Sequence, residues 1–578
     1  MNADNGGAVM ETLFSDLKRI AIEQERITDV PSRDKWMSVS YKTKLGAGVM
    51  LAASEDSRPE NITLHPGLSG WHRVYVGIIN LRSNDYTYLK LTGQPAFTGI
   101  RHARRGSPID WAPEEYAEEV YFGSFDLTSR DFILAKPDSN LTNASCLLWI
   151  RCVGMSDEEI RTHLETESNK VKCIQMHIDA DYRGEETLEC DDDYLIKLCA
   201  VADTNAEFAT IETSFDWDGY DYSGTTFLHS HARWAEGDEK FIKNRERLYQ
   251  KFISFARTNG LKLFAGVRMS VASFTIPYTM PTWKLRFVDE NSQFHCVNRD
   301  GSRVNACSYA YKETQDYMLG LLKKQVSYGF DGVTMIFHRG ILVGFEQPVI
   351  DRFKKLHPAL DPYRLPLADK RLSSVRCGIM TEFMRRVRAE LGTETKINII
   401  TDFNLETPRN IGIDIEEWAA EGLIDMVAQS EINVYEDLDG LMSETEPQYI
   451  DMDKYCARIL ETSVIKRSLA GSIEKATGHM DGFLRLEQKY GVKVYHVLPW
   501  SNSLTEEKYL EYVNALTARG AKRFLAWNAY AAMWNLPEWY NLTHVGNRRE
   551  EGITKRRFIR MIEIEGADIS QFNNNWRG

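Results

Sequence analysis

From about residue 170 onward, short runs of consecutive apolar residues alternate with longer stretches in which apolar positions recur every three to four residues. The short runs read as buried strands and the long stretches as amphipathic helices. Eight strands can be counted: VKCIQMHIDA from 171, AEFATIETSFD from 206, LKLFAGVRMS from 261, FDGVTMIFHRG from 330, TKINIITDF from 395, LIDMVAQSEI from 423, VKVYHVLPW from 492 and AKRFLAWNAY from 521. Helical stretches such as YKETQDYMLGLLKKQVSYG and CGIMTEFMRRVRAELG close on a glycine just before the next strand, as a helix C′ position should. Eight strands alternating with helices predict an α/β fold with a (β/α)8 TIM barrel over residues 166–545.

Residues 35 to about 153 follow a different pattern. WMSVSYKT, WHRVYVGII, YTYLKLTG, EVYFGSFDL and CLLWIRCVG are short, rich in β-branched and aromatic residues, and punctuated by Gly, Pro, Asn and Asp. This spacing predicts an antiparallel β-sandwich before the barrel. Ser156 and Glu159 form a capping-box pattern that starts a helix, which places the end of the N-terminal domain (1–165) near there. Residues 546–578 read as a C-terminal tail, charged and then aromatic (Phe572, Trp576), packing on the body.

Composition narrows the function classes. The 578 residues carry 70 Lys and Arg against 83 Asp and Glu, a net charge of −13, so no basic face for nucleic acid is implied. No apolar run approaches the length of a membrane span. The nine cysteines are odd in number and form no C-x-x-C pair, which reads as reduced, mostly buried thiols. No basic segment followed by an apolar run heads the sequence, so a cytoplasmic location is the expectation. G-x-S-x-G, Walker and G-x-G-x-x-G motifs are absent, which leaves serine-hydrolase, nucleotide and dinucleotide readings without support, and no cofactor is expected.

Reactive groups of such a barrel sit at the C-terminal ends of its strands and point inward, while the helix-facing positions stay apolar. With Ile174, Met176 and Ile178 outward, His177 and Asp179 point in. The same alternation turns Glu212, Arg268, His338 and Asp402 inward, with Arg339 just beyond the fourth strand. In the sixth strand, placing Met426 and Ala428 outward puts Gln429 and Glu431 inside. Trp217, Trp500 and Trp527, with Asn528 beside the last, lie in or just after strand ends. Four carboxylates with aromatics on one rim suit glycosidic bond cleavage: one acid protonates the leaving oxygen while a carboxylate attacks or activates water. Crowded carboxylates raise one pKa and keep an acid protonated near neutral pH. His177-Ile-Asp179 only loosely matches the metal pair of barrel amidohydrolases, which need further His on later strands, so no metal is expected.

The run YGFDGVTMIFHRG, followed by FEQPVIDRFKKLHPALDP, GIMTEFMRRVRAEL, IGIDIEEWAAEGLIDMV and GAKRFLAWNAYAAMWNL, resembles bacterial barrel proteins of the family-ten-like glycosyl hydrolase group over roughly 170 to 545. The resemblance implies a TIM barrel acting on carbohydrate, with an N-terminal β-sandwich in some relatives. Many retaining barrel glycosidases carry Glu at the ends of the fourth and seventh strands, where this sequence has His338-Arg339 and Pro499-Trp500. Glu346 lies eight residues into the loop after the fourth strand, beside Pro348, and reads as a structural or subsite residue.

The expectation is therefore a glycoside hydrolase with Glu431 as general acid and Asp402 as nucleophile or base, Asp179 and Glu212 being the alternates. His177, Arg268, His338, Arg339, Trp217, Trp500, Trp527 and Asn528 would bind an oligosaccharide. A carbohydrate-binding barrel without catalysis and a metal-dependent hydrolase are the rival readings. The sandwich fits a wall of the cleft or a contact in a homo-oligomer better than an independent glycan-binding module.

Overall fold

A computed structural model describes residues 10–54, 57–79, 86–101, 116–136, 144–178, 195–213, 220–221, 232–271, 284–337, 342–366, 368–402, 404–429, 469–498, 506–527, 536–546, 550 and 552–565. Eight parallel strands close into a barrel in sequence order: Ile174–Ile178, Ala206–Glu212, Lys262–Arg268, Gly332–Ile336, Lys396–Thr401, Met426–Gln429, Lys493–Val497 and Phe524–Ala526. Every strand expected from the apolar runs is present. Helices separate them, among them Ala232–Thr258, Lys312–Ser327, Lys370–Leu391 and Glu506–Arg519. Gly392 ends Lys370–Leu391 at φ 76°, a conformation that costs a side-chain-bearing residue and that returns the chain to the fifth strand.

The remaining described strands form antiparallel sheets. Nine strands build the larger one, in the order Glu11–Phe14, Trp149–Gly154, Trp71–Ile78, Tyr116–Asp126, Arg556–Glu565, Trp36–Thr43, Gly46–Ala53 and Ser145–Leu147, with Ile27–Thr28 added parallel to Trp36–Thr43. A four-stranded sheet orders Ile62–Leu64, Phe132–Ala135, Tyr86–Leu91 and Thr98–Arg101. Val74, Val76 and Ile78 of the first share one apolar core with Leu64, Leu89, Leu91, Phe132 and Leu134 of the second.

The capping box forms as its sequence dictates. The Ser156 hydroxyl accepts from Glu159 N at 3.3 Å, and Ser156 N donates to Glu159 Oε2 at 2.8 Å, opening the helix Asp157–Ser168. The boundary drawn at 165 thus falls inside this helix, which hands the chain to the first barrel strand.

The segment read as a tail differs from its expectation. Residues Arg556–Glu565 are a strand in the interior of the large sheet, paired antiparallel with Tyr116–Asp126 on one side and Trp36–Thr43 on the other. Its first two arginines meet carboxylates of the neighbouring strand. Arg556 Nε forms an ion pair with Glu118 Oε1 at 2.6 Å, and Arg557 Nε donates to Glu119 Oε1 at 2.6 Å. Glu119 also accepts from Trp149 Nε1 at 2.8 Å and Arg151 Nη2 at 2.7 Å. Burial opposes the charge on Glu119, yet these donors hold its carboxyl below the ordinary range.

Candidate active site

Aligned residues on neighbouring parallel strands share a face, so the register fixes what lines the barrel. Asn398 aligns with Thr334 and with Met426, Ile400 with Ile336 and Ala428, and Gly266 with Thr334 and Glu212. These face the axis. Val333, Met335, Ile397, Ile399 and Val427 face outward into one cluster with Met380, Phe383 and Met384 of the helix Lys370–Leu391.

The interior is layered. At the floor, Phe208 stacks on Phe264 with ring centroids 4.4 Å apart and meets Tyr495 edge-on at 5.5 Å. Above lies a polar belt: Gln175 Nε2 donates to Thr210 Oγ1 at 3.4 Å, Asn398 Nδ2 to Thr334 Oγ1 at 3.2 Å, and the two threonine hydroxyls bond each other at 2.9 Å. Thr210 and Thr334 belong to the second and fourth strands, and they meet across the third because Gly266 puts no side chain between them.

The rim comes next. Glu212, the last residue of the second strand, pairs with Arg268, the last of the third. The guanidinium engages both carboxylate oxygens through Nε to Oε1 and Nη2 to Oε2, the latter at 3.1 Å. Both side chains are largely withdrawn from solvent, and such a forked, charge-assisted pair is geometrically demanding. Asp402 follows the fifth strand in the phase of Asn398 and Ile400 and is fully buried. His177 and Trp527 are neighbours because Met176 aligns with Ala526. Their rings lie flat on each other, centroids 3.8 Å apart and 6° between planes. Trp527 is itself buried, so His177 covers one face and at most the far face is left for a ligand. Stacking on a sugar was the expectation; bracing His177 is what the geometry shows.

Among the expected site residues, His177, Glu212, Arg268, Asp402 and Trp527 are thus gathered at one end of the barrel. Asp179, Glu431, Trp217, His338, Arg339, Trp500 and Asn528 lie outside the described residues. The sixth strand runs in the opposite phase to its expectation: Met426 and Ala428 face in, and Gln429, aligned with Thr401, faces out. Its amide oxygen accepts from His496 Nδ1 at 2.8 Å. Burial pulls the His496 imidazole down to about 4, so it is neutral at physiological pH. The inward phase on which Glu431 was chosen therefore fails along the described part of that strand. The cause is local: Met426-Val427-Ala428 is apolar at both parities, so alternation carried no information there.

Sequence reasoning also passed over the polar belt, although Thr210 and Thr334 occupy inward positions in strands whose phase was readable. Glu346 bonds to the backbone of two loops. It is fully buried, and its carboxylate accepts from Gly344 N at 2.9 and 3.0 Å and from Val297 N at 2.8 Å.

Fold and site together define a parallel (β/α)8 barrel with buried ionisable groups at the C-terminal ends of its strands. No family model matches the chain, and no curated protein matches it. Solved structures that align with it include glycoside hydrolases. An α-galactosidase from Thermus thermophilus is 13% identical, with 88% of this chain and 93% of that one covered and a TM-score of 0.33. The catalytic domain of a β-amylase from Paenibacillus polymyxa is 8% identical over 65% of this chain and 98% of its own, with a TM-score of 0.38. The glycoside hydrolase domain of PelA from Pseudomonas aeruginosa is 11% identical over 63% and 96%, with a TM-score of 0.30. Among the described residues, no helix is long and apolar enough to cross a membrane.

Proposed function

We propose that this protein hydrolyses an O-glycosidic bond of an oligo- or polysaccharide at the C-terminal mouth of its barrel. The observation that carries the reading is the convergence there of two buried carboxyl groups, Glu212 and Asp402, from the second and fifth strands. Their surroundings divide the work. The Arg268 guanidinium occupies both Glu212 carboxylate oxygens through Nε and Nη2, so Glu212 is the electrostatic and hydroxyl-binding member. Asp402 is the nucleophile or the base, and Glu431 or Asp179, each just past the described end of its strand, is the general acid. His177, held flat by Trp527, presents its ring edge to the sugar. The antiparallel sheets form an accessory sandwich beside the barrel.

The test is a glycan panel read by reducing-sugar release, with wild type beside Asp402→Asn and Glu431→Gln. Loss of the general acid or base costs about 100- to 10,000-fold in turnover, and unchanged circular dichroism must accompany it. Full activity in Asp402→Asn would remove Asp402 from the chemistry. Measurable glycan affinity with no product after long incubation would replace hydrolysis by carbohydrate binding.

A further inference from the structure

Glu346 is a fully buried carboxyl that the proposed chemistry does not use. Its donors come from two different loops. Gly344 follows the fourth barrel strand, whereas Val297 and Ser308, whose hydroxyl also reaches the carboxylate, belong to the excursion after the third. Backbone bonds continue the seam: Phe345 N donates to Val297 O at 2.7 Å and Tyr309 N to Leu342 O at 2.9 Å. The fit is close enough that a Cβ on Gly344 would lie 2.5 Å from Val297 O and 2.7 Å from Glu346 Oε1.

From this seam a short path leads to the rim. Ser308 is followed by Tyr309, which is buried and whose hydroxyl donates to the Met269 carbonyl at 2.6 Å. Cys307 N bonds Val271 O at 2.7 Å. Met269 is the residue after Arg268. The groups around the carboxyl are Cys296, Tyr311 and Arg376, with Cys307, Tyr309 and Arg299 behind them. Arg376 is buried, donates to the Gly344 and Asn410 carbonyls, and is brought by burial down to about 10, so it stays cationic. Burial raises the Glu346 carboxyl despite its N–H and hydroxyl donors.

We propose that Glu346 is a positioning residue of the mouth. It stitches the loops after the third and fourth strands into one wall, fixing the Met269 backbone and with it the aim of Arg268 at Glu212. The kinetic half of this proposal rests on the hydrolase reading above; the structural half does not.

The experiment compares full-length wild type, Glu346→Ala and Glu346→Gln by hydrogen exchange and by alkylation of Cys307, a thiol of the same loop that burial keeps inert. In Glu346→Ala, peptides spanning 294–309 and 342–346 should exchange at least about tenfold faster, with the rest of the barrel within about twofold. Cys307 labelling should accelerate in parallel. Glu346→Gln keeps one acceptor oxygen and should fall between; it carries the comparison alone if the alanine variant does not fold. On a hydrolysed glycan, kcat should drop about tenfold with KM little changed, as for a group that orients the reacting site. Unchanged exchange in both loops, or loosening spread evenly through the barrel, overturns the stitch. Loosened loops with wild-type kcat overturn the link to Arg268. A wild type that cleaves no glycan sinks the hydrolase reading, and exchange and alkylation then decide the stitch by themselves.

Discussion

Gly266→Ala puts the packing of the barrel interior to the test. The glycine is aligned with Glu212 on the second strand and Thr334 on the fourth. A Cβ there would lie 2.8 Å from Thr210 Cγ2, 3.2 Å from Glu212 Cα and 3.2 Å from Ile211 O. Glu212 Cα and Ile211 O are backbone and cannot yield cheaply, so the threonine methyl must move. That motion breaks the 2.9 Å bond between Thr210 and Thr334. Overpacking costs about 1–3 kcal/mol and the lost buried hydrogen bond about 1 kcal/mol. The reduced freedom of the unfolded chain offsets about 0.4–1 kcal/mol. The net expectation is a loss of roughly 1–3 kcal/mol. Thermal unfolding followed by calorimetry measures it. Thr210→Ser provides the control, because it deletes the offending methyl and keeps the hydroxyl. In a double-mutant cycle, Thr210→Ser should recover most of the loss in the Gly266→Ala background while slightly destabilising the wild type. A Gly266→Ala protein as stable as wild type, or one that Thr210→Ser fails to rescue, would refute the reasoning.

Two further outcomes follow from buried charges. Burial raises Glu346 above its unfolded value, so its contribution to stability is fully present below the ordinary carboxylate pKa and is lost as pH rises through the folded one; relative to Glu346→Gln, wild type should gain Tm as pH is lowered from 7 towards 4.5, and a pH-independent difference would contradict this. Arg556→Met leaves Glu118 buried without its 2.6 Å partner and should cost about 3 kcal/mol or more, whereas the pairwise change Glu118→Gln with Arg556→Met should cost much less; equal losses in the single and double variants by denaturant unfolding would argue against a buried ion pair.

The barrel was legible because each of its strands is a short, apolar-rich run bounded by turn residues and followed by a helix with its own period. Phase was readable wherever only one parity was apolar. Ile397 and Ile399 against Asn398 and Asp402 fixed the fifth strand, and Ile174, Met176 and Ile178 fixed the first. Met426-Val427-Ala428 offered both parities and misled. Gly46–Ala53, rich in glycine and alanine, lacks the β-branched signature that marked its neighbour Trp36–Thr43. RRFIRMIEIE was unreadable as an interior sheet strand for a different reason: what neutralises Arg556 and Arg557 is a pair of glutamates some 438 residues away. Glu212 and Arg268 were each legible as inward polar residues, but their union depends on the register of two strands. The flat contact between His177 and Trp527 likewise needs barrel closure, which brings the first and eighth strands together.

The interior position of Arg556–Glu565 sets a timetable for biosynthesis. On a growing polypeptide, Tyr116–Asp126 and Trp36–Thr43 emerge with an unpaired edge each, and the strand that joins them is translated roughly 430 residues afterwards, on the order of 20–90 s at usual elongation speeds. Open edges of this kind invite pairing with other chains. A message cut short within the barrel would thus release a sticky, half-built sheet, and completion of the barrel is what delivers the missing ribbon to its slot.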